Sequence, residues 1–115
     1  MAVASVNGCS YCLSAHSHFG KRFAKLTDAE LEANKNGTST DAKAAAAVAF
    51  AVRVVAERGH VSDSDLEAVK SAGFNEAQVL EIVVHVALNT LTNYVNEVAQ
   101  TEVDFPVVEA PRKAA

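Results

Sequence analysis

Asn7-Gly8-Cys9-Ser10-Tyr11-Cys12-Leu13-Ser14-Ala15-His16 holds both cysteines of the chain, in a CxxC spacing, with a histidine one helical turn beyond the second. Asn7-Gly8 is a turn signal, and a stretch without helix breakers follows it. This predicts a helix that begins at the cysteines. Unpaired N–H groups and the positive end of the helix dipole favour a thiolate there. At i,i+4 spacing Cys12 and His16 share one face of that helix. No βαβ alternation or strand-rich pattern accompanies the CxxC, which argues against a thioredoxin fold and for an all-α protein.

Two thiols at this spacing can close into a small disulfide ring and so form a two-electron redox pair. Cys12, with the imidazole one turn away, is the better candidate thiolate. Cys9, nearer the helix end, is better placed for exchange with a reductant. Three plainer readings stand beside this one. A CxxC is half of many zinc sites, and His16 and His18 offer two nitrogens, although zinc fingers usually separate the two pairs by a dozen residues or so. A static disulfide is the second, but nothing suggests secretion. In the third, His16 is only a polar residue on an exposed helix face. His18 faces elsewhere and reads as surface.

The 115 residues suffice for one domain with a real core, and half of them are hydrophobic. A net charge of −4 and a pI near 5.5 argue against a nucleic-acid partner. No apolar run reaches membrane-spanning length without a polar break. Met1 to Val6 lacks the basic and apolar regions of a signal peptide, so a cytoplasmic location is expected.

Helix signals continue along the chain. The first helix is expected over 9–25, with Phe19, Phe23 and Leu26 on its apolar side. Thr27-Asp28-Ala29-Glu30 reads as a capping box for a short helix to about Asn34. Thr40 or Asp41 caps a long alanine-rich helix to about Arg58, with Ala44, Ala47, Val48, Ala51, Val54 and Val55 at helical spacing. Ser62 or Asp63 caps the next, and Asn75 a terminal helix reaching about Thr101. In that last helix Val79, Leu80, Val83, Val86, Ala87, Leu91, Tyr94, Val95 and Val98 form the expected core stripe. Opposite runs a polar row of Glu81, His85, Asn89, Thr92 or Asn93, and Asn96. Asparagine is a poor helix former, so its repetition here points either to solvation or to hydrogen bonding at a site or subunit contact. Residues 1–106 read as one helical domain and 107–115 as an extended tail, disordered unless it packs on a neighbour.

Taken together, Asn7-Gly8-Cys9-x-Tyr11-Cys12-x-x-x-His16, the cap-Asp-Ala-Glu helix, the alanine-rich helix and the asparagine-bearing helix before Asp104-Phe105-Pro106 resemble the AhpD-like alkylhydroperoxidase branch of the carboxymuconolactone decarboxylase superfamily. The likeness covers nearly the whole chain. It implies an AhpD-like helical bundle assembled into dimers, trimers or hexamers, with a thiol-dependent peroxidase or disulfide reductase activity and no cofactor or metal. The substrate implied is a hydroperoxide and the partner a dithiol or protein reductant. By the same resemblance Cys12 is the thiol that peroxide attacks, Cys9 the resolving thiol, and His16 the base of a proton relay.

Two departures from the family pattern are visible. Tyr11 stands where the better-studied peroxidases carry a second histidine. The relay glutamate they carry about a dozen residues before the first cysteine has no counterpart ahead of Cys9, and the first helices typical of the family are not evident. Support for His16 is therefore expected from Glu81, His85 or Tyr11, or from another subunit. A decarboxylase-type lyase is an alternative activity in the superfamily, although it does not need the CxxC. A non-catalytic redox-sensing oligomeric module is another.

Overall fold

The computed structural model describes residues 1–111. The last part of the tail, 112–115, lies outside the described residues. Six helices and no strand make up the described chain: α1 (Ala2–Asn7), α2 (Ser10–Arg22), α3 (Asp28–Lys35), α4 (Ala42–Ala56), α5 (Asp63–Ser71) and α6 (Glu76–Ala99). The all-helical class read from the sequence is the class observed.

Helix starts follow side-chain chemistry closely. Asp41, rather than Thr40, caps α4 by accepting the Ala44 N–H at 2.8 Å. Ser62, rather than Asp63, caps α5 in a full reciprocal box with Asp65, and Asn75 does the same for α6 with Gln78. At α3 only half of the expected box forms. Thr27 accepts the Glu30 N–H, but the Glu30 carboxylate turns forward to Ser39 and Thr40. It thereby ties the α3–α4 connection down instead of closing its own helix end.

Helix α1 was not anticipated. Six residues are too few to hold a helix alone, even with two alanines among them. The segment is helical because it packs against α4 and α6, burying Ala2, Val3, Ala4 and Ser5. Gly8, at φ 76°, ends it in the left-handed conformation, and its N–H and that of Cys9 return to Ser5 and Ala4.

The main core lies between α1, α4, α5 and α6, built on Val3, Phe50, Val54, Val69, Val79 and Val86. Phe50, which lies off the stripe read for α4, is one of its centres. The inward face of α6 also departs from expectation. Val79 and Val86 are buried with Asn93, whereas Leu80, Leu91, Tyr94, Val95 and Val98 of the expected core stripe are exposed. Both sides of α6 carry apolar residues, and the choice between them is made by the α1 and α4 surfaces it meets. Phe19 and Phe23 are likewise exposed; they stack on each other at 5.8 Å between centroids, and Phe19 meets Phe105 edge-on.

Candidate active site

A second, smaller cluster holds Ala4, Cys9, Cys12 and Leu13, with Met1, Tyr11, Val108 and Ala110 packed around it. Cys9 is the N-cap of α2 rather than its first residue. Its Sγ accepts the Cys12 backbone N–H at 3.3 Å, in the place usually taken by a serine or aspartate oxygen. Both thiols are reduced and buried. Burial first, then the side-chain interaction with the Cys12 thiol, pushes the Cys9 thiol up to about 12 against the opposing Cys12 backbone N–H, and the nearby Glu97 carboxylate adds to the rise. Cys9 therefore holds its proton at neutral pH and can donate it.

Cys12 faces α6. The Asn96 side-chain amide lies 3.4 Å from its Sγ and donates toward it, while also donating to the Thr92 carbonyl at 3.0 Å. An N–H aimed at sulfur favours whatever negative charge develops there. One turn further on, His16 lies at the surface beside Asn89. Desolvation, then the charge of the chain's amino terminus, holds its imidazole below the ordinary histidine value, against an opposing interaction with Asn89. The ring is consequently neutral near pH 7 and free to accept a proton.

Of the residues singled out beforehand, the fold gathers Cys9, Cys12 and Tyr11 into one cluster, with His16 one turn along α2. Tyr11 meets Phe105 edge-on at 5.9 Å. Glu81 and His85 engage each other instead, at 3.8 Å on the exposed surface. The side chains from α6 that reach the α2 residues are Asn89, Asn96 and Glu97. Asn89 and Asn96 belong to the polar row noted in the sequence; Glu97 carried no signal there. Asn93, also in that row, is fully buried and accepts from the Asn7 side chain at 3.0 Å, with Thr90 accepting from the same amide. Asn89 and Asn96 thus turn toward α2 and Asn93 toward α1, the Asn93 Nδ2 remaining buried without a partner among the described residues.

The tail completes the enclosure. Ser14, fully buried, accepts the Val108 N–H at 2.8 Å, and Ser10 accepts the Ala110 N–H at 3.0 Å. Residues 108–110 thus cross α2 directly over the thiol pair. Among the described residues no group of three or more histidine, cysteine or acidic side chains is positioned to share a metal ion.

Fold and site together define a helical protein with an enclosed dithiol at a helix start, flanked by an imidazole and a carboxamide. In comparisons with known proteins, the chain matches no family model and no curated protein.

Proposed function

We propose that the chain is a thiol-dependent peroxidase or disulfide reductase of the AhpD-like type, working through the Cys9/Cys12 pair in a reducing, cytoplasmic setting. The observation that carries this reading is the asymmetry of the two thiols. Cys9 caps α2 with its proton retained, while Cys12 lies under the Asn96 amide on the His16 side of the helix.

The chemistry follows from that asymmetry. The Cys12 thiol gives its proton to His16, and the sulfur attacks the terminal oxygen of a hydroperoxide ROOH. The O–O bond breaks, ROH leaves with the proton from His16, and Cys12 becomes a sulfenic acid. Cys9 sulfur then bonds to Cys12 sulfur, and the hydroxyl leaves as water with the Cys9 proton. A dithiol reductant returns the pair to its starting state with two electrons and two protons.

Assembly into a homo-oligomer belongs to the same reading. Leu80, Val84, Leu88, Leu91, Val95 and Val98 run along the outer side of α6 at three- and four-residue steps, each more than half exposed. Such a stripe suits a helix-to-helix contact with a second copy.

Free-thiol titration before and after one equivalent of organic hydroperoxide tests the proposal. Two thiols per chain should disappear and return with dithiothreitol. Cys9→Ser keeps an N-cap oxygen in place, so it should fold normally and accumulate a sulfenic acid on Cys12. Retention of both thiols in the wild type would falsify the redox reading, and sulfenylation of Cys9 in the Cys12→Ser variant would reverse the two roles.

A further inference from the structure

A cavity of about 410 Å³ opens beside the tail, between α2 and α3, and the redox chemistry above does not use it. Its volume falls within the range of small-molecule sites. Leu31, Pro106 and Val108 give it an apolar wall, Ser17 and His18 line it from α2, and Lys21 and Arg22 stand on its rim with Asp28. Lys21 is paired with Asp28 at 2.7 Å on an exposed edge. Arg22 rests over the Phe23 ring at 5.8 Å and has no carboxylate partner among the described residues. The rim therefore carries one uncompensated positive charge above a mostly apolar interior.

Val108 belongs to two surfaces at once. It lines this cavity, and it also packs against the cluster that contains Cys9 and Cys12. Val108, anchored by Ser14, thus joins the cavity wall to the cluster that holds the thiols.

We propose that this cavity binds an acyl chain bearing a carboxylate. Arg22 receives the head group at the rim, and the chain runs along Leu31 and Pro106 to end against Val108. A guanidinium matches a carboxylate through paired N–H donors, and Lys21, the other cation at the rim, is already taken by Asp28. Resting on the redox reading, the substrate class follows: a hydroperoxide of a long-chain carboxylic acid, admitted to Cys12 when the Val108 segment is displaced from Ser14.

The binding step can be tested without any redox chemistry. Decanoate titrated into the reduced full chain, followed by amide chemical shifts, should give saturable changes at Ser17, Lys21, Leu31 and Val108. Decylamine should not, and Arg22→Gln, a surface change, should weaken decanoate by about tenfold. Absence of saturable shifts, equal binding of decylamine, unchanged affinity in Arg22→Gln, or shifts confined to the outer face of α6 would each overturn the site. In a second arm, thiol oxidation by a long-chain carboxylic acid hydroperoxide should be about tenfold slower in Arg22→Gln, with cumene hydroperoxide oxidising both proteins alike. Equal rates with the carboxylate hydroperoxide overturn the substrate class. Thiols inert to both peroxides, with decanoate binding intact, reject the redox reading and leave the binding site standing.

Discussion

At the scale of single residues, the candidate site depends on where protons sit. Cys9, raised by burial, keeps its proton, and His16, lowered mainly by desolvation, is without one near neutrality. In the proposed reaction a proton passes from Cys12 to His16 and later from Cys9 to the departing hydroxyl. His16→Ala should slow oxidation of the reduced protein by an organic hydroperoxide about ten- to a hundredfold, at the low end of what general acid–base catalysis supplies. A lowered histidine also sets the direction of the pH dependence. The unfolded chain protonates His16 near pH 6.5, above the folded value, so the unfolded state binds the extra proton first. Acidification through that range therefore removes stability and base function together. Stopped-flow rates should fall on the acid side in the wild type, and this limb should be missing in His16→Ala. Equal rates in the two proteins, at the level of a free thiol, would sink the relay.

Among elements, the connection between α3 and α4 shows how one side chain can serve the chain beyond its own helix. Glu30 sits where a capping box places its acid, yet its carboxylate accepts from Ser39 and from both the backbone and hydroxyl of Thr40. Those bonds, the Ser39 hydroxyl first among them, hold its carboxyl down to about 2. The depressed value means that the stabilisation is present above the ordinary glutamate value and is lost as pH falls toward 2. Glu30→Gln should lower the thermal midpoint at pH 7, and the gap between the two proteins should close between about pH 4 and pH 2. A gap that persisted unchanged at pH 2 would mean that the amide had lost shape complementarity, not charge.

The element boundaries also separate local from distant causes. Asp41, Ser62 and Asn75 act within one turn, so a reader of the residues finds those helix starts without knowing the fold. Helix α1 has no such autonomy, because its conformation is supplied by the surfaces of α4 and α6. The tail is similar: nothing in Val107 to Pro111 encodes its course, which is set by the hydroxyls of Ser10 and Ser14 on a helix nearly a hundred residues away.

For the whole molecule, the radius of gyration is 14.0 Å, close to the roughly 13 Å of a compact domain of this length. Within that compactness the outer side of α6 is left bare from Leu80 to Val98. Exposed leucines and valines at this spacing are costly for a chain that stays alone in water. Light scattering at micromolar concentration should return a multiple of the 12.1 kDa protomer mass. Leu91→Glu together with Val84→Glu should return the protomer mass without loss of helical circular dichroism. A wild-type chain that scattered as a monomer would leave the stripe without a partner.

The helical class, the caps and the placing of Cys9, Cys12 and His16 within two turns of one another were legible from residue order, because each depends on groups a few positions apart. Hydrogen bonds from a cap, and the one-turn offset between a thiol and an imidazole, are short-range quantities. Which side of α6 turns inward was not legible, since apolar residues occur on both and periodicity names a face without naming its neighbour. Asn96 at Cys12, Asn89 beside His16, Asn93 under Asn7 and the tail across the thiols all join positions far apart in the chain. Those pairings exist only once α1, α4 and α6 have packed, because burial, and the pressure it creates to pair polar groups, is a property of the assembled core and not of any segment in it.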